Sequence, residues 1–377
     1  MAQPFDICIR GAGIVGRTLA LLLARDRLRV ALVSQPAPDL AAGHSDVRAY
    51  ALNAASRQML EALRCWPDAA HATAVTAMQV FGDDGGEVNF AARDQHADAL
   101  AWIVDVPALE ARLREAVRYQ PMIEELSMPL ATPVKAALTV VCEGRASATR
   151  TEFGAEFEVM PYAQQAIATR LTCSLPHGQV ARQWFADGEI LALLPLDGEH
   201  GNSVAVVWSV NEARAPALLA LTPEDFAQAL HTASHGALRE LQTSGSRAAW
   251  PLQRAQAKRW VGQAPGSWAL AGDAAHTVHP LAGQGLNLGL GDAQELAQVL
   301  HAREYWRGVG DEKLLRRYER ARKAAVLAIG STTDGLQQLF ARDEAAWQGM
   351  RNWGMKGFER SGIVKAWVAR QAMGGGR

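Results

Sequence analysis

Patterned cysteine is missing from this sequence. Its four cysteines, Cys8, Cys65, Cys142 and Cys173, form no C-x-x-C pair and keep no regular spacing. That excludes a cysteine-built zinc site and a disulfide scaffold, and leaves packing residues of the kind a reducing compartment tolerates. A charge excess is missing too: 38 Lys and Arg stand against 39 Asp and Glu, for a net charge of −1. No global field draws nucleic acid or an acidic polymer, and no nucleic-acid partner is expected. Long apolar runs are also absent. LALLLA (19–24) is far too short to span a bilayer, and MAQPFDICIRGAG lacks the basic and apolar segments of a leader, so the expected location is the cytoplasm.

What remains is an ordinary globular composition. With 49% hydrophobic and 20% charged residues over 377 positions, the chain can bury a substantial core, and two domains are expected. FDICIRGAGIVGRTLALLLARDRLRVALVSQP reads as strand, glycine turn, helix, strand. Gly11, Gly13 and Gly16 form G-x-G-x-x-G in the setting that a dinucleotide fingerprint requires, with Ile14 and Val15 at the helix start. Gly11 permits the tight turn, Gly13 the approach of a pyrophosphate, and Gly16 the packing of helix on strand. The ribose position, about 20 residues on, is expected to carry a carboxylate and is read as Gln35, an amide without charge assistance.

Further along, SDVRAYALNAASRQMLEALRCW reads as a loop entering an amphipathic helix with Leu52, Met59, Leu60 and Leu63 near helical spacing, and AMQVFGDDGGEVNFAA as a hairpin. Leu138 to Val210 is rich in strand patterns, PEDFAQALHTA is a helix opened by Pro223, and SWALAGDAA repeats the strand-to-glycine pattern of the N-terminus.

AGDAAHTVHPLAGQGLNLG (271–289) is where chemistry concentrates. Asp273, His276 and His279 follow D-x-x-H-x-x-H, so a two-histidine, one-carboxylate metal site has to be weighed. Pro280 disfavours helix at His279, and the preferred reading is a strand ending at Gly272 and Asp273 followed by a glycine loop that opens a long helix. Free N–H groups and a positive helix end there suit a flat ring that gains negative charge on reduction, and Asp273 suits a polyol hydroxyl. Two such turns, far apart in sequence, can serve the two ends of one FAD.

GDAAHTVHPLAGQGLNLG resembles the second FAD motif of flavin-dependent aromatic hydroxylases with the para-hydroxybenzoate hydroxylase fold. PLAGQGLNLGLGDA, YERARK (318–323) and TDGLQQLF (333–340) are similar to their ubiquinone-biosynthesis branch, and SDVRAYALN resembles the segment whose arginine, here Arg48, lies beside FAD. The resemblance implies an α/β chain with a Rossmann-like FAD-binding domain (1–75, 101–155, 260–330), an inserted β-sheet substrate domain (76–100, 156–259) and C-terminal helices (331–377). It implies FAD as cofactor, NAD(P)H as transient reductant, and transfer of one oxygen of O2 to an aromatic ring, most simply a prenylated phenol of ubiquinone biosynthesis. Gly272 and Asp273 would meet the ribityl chain, Pro280 the isoalloxazine, and Gly283, Gln284, Gly285, Leu286 and Asn287 the ring's C2=O side. His279 and Pro280 are the candidate catalytic residues; His276 and His279 stay open between proton transfer and packing. CEGRASATR departs from the family's Ala-Asp-Gly pattern at Glu143 while keeping Ser147 and Arg150. Alternatives are a hydroxylase of another aromatic, or a non-catalytic accessory subunit of a quinone-synthesising complex.

Past Ala341, Trp347, Trp353 and Trp367 alternate with Arg351, Lys356, Arg360, Lys365 and Arg370. Helices packed on the protein's own core are one reading; a basic, aromatic face contacting a membrane surface or an assembly is the other. From the polyol assignment, Asp273→Ala is expected to purify largely colourless, and a fully flavin-loaded variant in the visible absorption spectrum would refute it.

Overall fold

The computed structural model describes residues 5–35, 46–82, 85–130, 132, 134–243, 246–278 and 284–340, with side chains through 328. His279, Pro280, Gly283 and the tryptophan-bearing segment past Ala341 lie outside the described residues. The chain opens with β1 (Phe5–Arg10), α1 (Ile14–Arg25), β2 (Val30–Ser34), β3 (Ala49–Leu52), α2 (Ala54–Ala62), β4 (Ala72–Val75), β5 (Ala77–Phe81) and β6 (Glu87–Ala91). Next come β7 (Ala101–Asp105), α3 (Val106–Arg118), β8 (Ile123–Ser127), β9 (Ala136–Val141) and the short α4 (Ala148–Glu152). The middle holds β10 (Phe157–Cys173), β11 (Val180–Ala186), β12 (Glu189–Pro195), β13 (Ser203–Asn211), α5 (Ala215–Ala220), α6 (Pro223–Ala233), β14 (Leu241–Thr243) and β15 (Ala248–Ala257). Last are β16 (Val261–Gly262), β17 (Trp268–Leu270), β18 (His276–Thr277), α7 (Gln284–His301) and α8 (Glu312–Phe340).

Two sheets organise these elements. The first runs β16-β17-β9-β1-β2-β8, parallel from β17 to β8. Its central strands are covered on both faces, which is why FDICIR and VALVS read as apolar runs and not as alternation. Helices α1, α3 and α7 pack on it: Leu19, Leu23, Leu109, Leu113, Leu290 and Leu296 are fully buried against Ile7, Ile9, Val30 and Leu32. The second sheet runs β18-β15-β10-β13-β12-β11-β5-β6, with β14 also on β10, and is antiparallel except where β5 meets β11. Trp208, Phe226 and Leu230 fill the core between this sheet and α6. A small antiparallel sheet, β3-β7-β4, completes the set.

Three readings change in detail. Leu52 ends a strand and does not lie on the helix; α2 begins after Asn53, whose side chain accepts from the Ser56 N–H. Strand β2 stops at Ser34, so Gln35 lies just past it and exposed. His276 and Thr277, within the range read as part of the FAD-binding domain, pair with β15 of the larger sheet.

Asn287, on the first turn of α7, ties the beginning of the chain to its end. Its Oδ1 accepts from the Asn53 N–H at 3.0 Å and from Ser56 Oγ at 2.8 Å, and its Nδ2 donates to the Ala51 carbonyl at 2.8 Å. Removing this amide strands several groups at a largely dry junction. Asn287→Ala is expected to lose about 2–3 kcal/mol of stability, read by urea unfolding of the full chain; a change within error would show that water replaces the amide.

Candidate functional site

At the end of β1 the three fingerprint glycines answer to different constraints. Gly11 has φ +110°, its N–H donates to the Val33 carbonyl at 2.9 Å, and a Cβ there would overlap the Cys142 carbonyl. A Cβ on Gly16 would overlap the Gly11 carbonyl. Gly13 is different: no heavy atom lies within 4 Å of an added Cβ, and α1 has no side-chain cap and no acid in its first turn. The fold's own backbone demands two of the glycines, and the third opens onto space at a positive helix end. Ile14 is buried beneath this turn.

The second glycine turn comes against the first. Past β17 the backbone turns at Gly272, with φ +62°, and an added Cβ would touch Val15 Cγ2 at 3.4 Å. On α7, a Cβ at Gly289 would stand 2.8 Å from the same methyl, so α1 and α7 approach closely through Val15. Gly285, on the first turn of α7, has no neighbour within 4 Å of an added Cβ, and Gln284 and Leu286 flank it half-buried. The open glycines Gly13 and Gly285 thus belong to helices packed on one another.

Asp273 follows Gly272 with its side chain exposed. Desolvation pushes its carboxyl pKa up, the charges of His276 and Arg145 oppose that, and Asp292 adds to it. Asp292, fully buried on α7, is what holds the turn. Its Oδ2 accepts from the Gly272 N–H at 2.8 Å and from His276 Nε2 at 2.7 Å; its Oδ1 accepts from Arg322 Nε at 2.7 Å. Burial alone would raise the Asp292 pKa, but His276 and Arg322 outweigh it and hold the group below the usual aspartate range. His276 stacks on Trp260 with ring centroids 4.9 Å apart, and Tyr318 Oη donates to the Leu270 carbonyl at 2.8 Å. His276 is a buried strut paired with a carboxylate, away from the open space.

The segment carrying Arg48 forms the outer wall. Its guanidinium grips Asp46 at 2.6 to 3.1 Å and stands 3.9 Å from Glu110 on α3, while remaining 45% exposed. The hydrogen bonds to Asp46 raise the Arg48 pKa further, and burial raises that of the Tyr50 phenol, which senses both Arg48 and Asp273. Arg170, on β10, donates to the Val47 and Arg48 carbonyls at 3.4 Å and pairs with Asp105 at 2.5 Å. A hollow of about 240 Å³ beside this pair is walled by His71, Asp105, Arg170 and Asp197 together with the apolar Pro107 and Leu196.

In the altered middle motif the longer carboxylate finds its own partners. Glu143 accepts from Ser147 Oγ at 2.7 Å, Thr149 N at 3.1 Å and Thr149 Oγ1 at 2.7 Å, and pairs with Arg10 at 3.3 Å. Arg150 donates to the Ala274 carbonyl at 3.2 Å and lies 3.6 Å over the Phe157 ring, bracing the backbone just past Asp273. Asp292, Arg322 and Tyr50 escaped the sequence reading. The one available signal was a carboxylate in the otherwise apolar NLGLGDA.

The family described as FAD binding domain matches residues 116–332. The chain is 30% identical to the 3-demethoxyubiquinol 3-hydroxylase of Escherichia coli, covering 99% of both chains. It is 30% identical to the ubiquinone hydroxylase UbiL of Rhodospirillum rubrum, covering 98% of this chain and 89% of that one. Among solved structures, p-nitrophenol 4-monooxygenase PnpA of Pseudomonas putida aligns over the whole of both chains with TM-score 0.77 at 18% identity. PqsL of P. aeruginosa, in complex with 2-aminobenzoylacetate, aligns over 92% of this chain and 99% of that one with TM-score 0.75 at 22% identity. These two likenesses show the fold alone.

Asp292→Asn leaves His276 and Arg322 facing a neutral amide and is expected to cost about 3–5 kcal/mol in urea unfolding at neutral pH. Because the native pKa of Asp292 is depressed, its contribution is fully present above the unfolded aspartate pKa and fades as pH falls through the lower native value. The gap between wild type and variant should therefore close only in acid; a gap that stays constant there would refute the assignment.

Proposed function

This chain belongs to the FAD-binding family of ubiquinone hydroxylases, and on that premise we propose that it hydroxylates the ring of a polyprenylated phenol in ubiquinone biosynthesis. The protein is an FAD-dependent aromatic hydroxylase, with NAD(P)H as the reductant typical of the family. The observation that carries the assignment to particular residues is the pairing of two glycine positions with no protein atom over them, Gly13 and Gly285, on touching helices, with Asp273 following Gly272.

When bound, FAD supplies the redox chemistry with dioxygen that amino-acid side chains lack. The chain's residues do the rest. The first-turn N–H groups of α1, beside Gly13, would bind the pyrophosphate. Asp273 would accept from a ribityl hydroxyl with its carboxylate oxygens. The first turn of α7, at Gln284, Gly285 and Leu286, would turn its N–H groups and positive helix end to the ring edge that gains charge on reduction. The Asn287 amide, already committed to Ala51, Asn53 and Ser56, positions that turn and leaves only its main chain for a ligand. Arg48, Gly272 and the residues His279, Pro280 and Gly283 stay in the assigned site, Pro280 at the ring edge, and Gln35, just past β2, stays beside its adenosine end.

Glu143 lends no weight to a non-catalytic accessory role, since the fold absorbs its carboxylate completely. No helix among the described residues is long and apolar enough to cross a membrane. A prenylated substrate resides in lipid, and we assign the contact with that surface to the basic, tryptophan-bearing sequence past Ala341. The test is turnover of the flavin-loaded full chain with NAD(P)H, isotopically heavy dioxygen and a 2-polyprenylphenol. One labelled oxygen on the ring and substrate-stimulated NAD(P)H oxidation are expected. Absence of both would overturn the reading, and equal efficiency with the tail-less phenol would overturn the prenylated substrate alone.

A further inference from the structure

We propose that this chain holds the adenosine half of its dinucleotide with a cation at the pyrophosphate, Arg17, and a neutral hydroxyl at the ribose, Ser34. The carboxylate that such folds place at the ribose has no counterpart at the end of β2. The inference rests on the flavin reading above and concerns which side chains serve it.

The register identifies the ribose position. Arg10 on β1 pairs with Val33 on β2, and the Gly11 N–H donates to the Val33 carbonyl at 2.9 Å. The next residue abreast of the glycine turn is Ser34, and Gln35 lies past the strand. Ser34 is half-buried; its Oγ donates to the Leu126 carbonyl at 3.2 Å and lies 3.4 Å from Ser127 Oγ, its partner residue on β8. A hydroxyl can accept from a ribose hydroxyl but contributes less than an ionised acceptor.

Arg17 lies one turn along α1 from Gly13, on the same face. Helical side chains lean toward the N-terminus, which carries this guanidinium back toward the open space over Gly13. Its Nε is buried and has no hydrogen-bond partner among the described residues. The charges that face it are Arg114 and Glu110 from α3 and Glu125 from β8, none within ion-pair distance among the described residues; burial and Arg114 lower its pKa while the two glutamates oppose them. Glu110 is itself 3.9 Å from Arg48. An Arg Nε–H left in that state is costly, and on a half-buried guanidinium a phosphate oxygen is the partner its fork geometry suits. Arg17 would thereby recover binding that the ribose end gives up.

The experiment titrates the flavin-free full chain with FAD and with riboflavin, which has no phosphate, across a range of salt. Arg17→Met is expected to weaken FAD binding about tenfold or more and to flatten its salt dependence, with riboflavin affinity unchanged and Arg17→Lys recovering part of the loss. Ser34→Glu is expected to tighten FAD and leave riboflavin as it was. Wild-type FAD affinity in Arg17→Met would overturn the proposal, as would equal losses for FAD and riboflavin in both Arg17 variants, the signature of a packing defect. A wild-type chain that binds neither ligand would instead overturn the flavin reading, and this inference with it.

Discussion

A carboxylate with no access to water organises the site. Asp292 sits at the junction of α7, α8 and the turn after β17, and a buried charge is tolerable only when its lone pairs are filled. The three groups that fill them come from two parts of the chain, the Gly272 N–H and His276 from the turn after β17 and Arg322 from α8. Each is therefore fixed by the need to reach one point. Gly272 is held in a left-handed turn, so Asp273 projects outward where the preceding residues point into the core. Arg322 donates also to the Leu288 carbonyl at 3.0 Å, so α8 locks the helix that carries Asp292 as well as the carboxylate itself.

The glycines work in the opposite sense, by what they leave out. Gly11, Gly16 and Gly289 are required because neighbouring protein atoms occupy the place of a side chain, and together they bring β1, α1 and α7 to contact distance. Gly13 and Gly285 are free of any such neighbour. An isolated open glycine on a helix loses backbone entropy for nothing, about 1 kcal/mol relative to alanine. Two of them at helix starts, on helices pressed together through Val15, leave no side chain over the main chain there.

How much of this was legible follows from what sequence spacing encodes. The βαβ unit, the hairpin around Gly85 and the helix opened by Pro223 were readable because turn chemistry and apolar periodicity are local. The D-x-x-H-x-x-H spacing put His276 among candidate ligands, yet spacing is silent about Asp292, which comes from a helix later in the chain and claims the imidazole. Leu52 was read as helical because one strand residue before a helix can fall into helical phase with it. Gln35 was placed by a counted distance along the chain, which carries no information about the β1–β2 register that sets Ser34 abreast of Gly11. The Glu143 departure looked like damage to a motif, whereas Thr149, Ser147 and Arg10 had already been arranged to receive the longer carboxylate.

The larger sheet is tied by charge to the small β3-β7-β4 sheet. Arg170 leaves β10 of the larger sheet to reach Asp105 at the start of α3 and the carbonyls of Val47 and Arg48. The segment it holds continues through Tyr50 to Asn53 and is gripped from the other side by Asn287. Oxygen transfer to a ring must outpace the loss of oxidising equivalents to water, so the ring has to be reached through a wall that does not fray. A strand of four residues, Ala49–Leu52, is too short to be such a wall by its own hydrogen bonds. Fastened by a guanidinium from the larger sheet and by an amide from the helix of the second glycine turn, it is held from both sides.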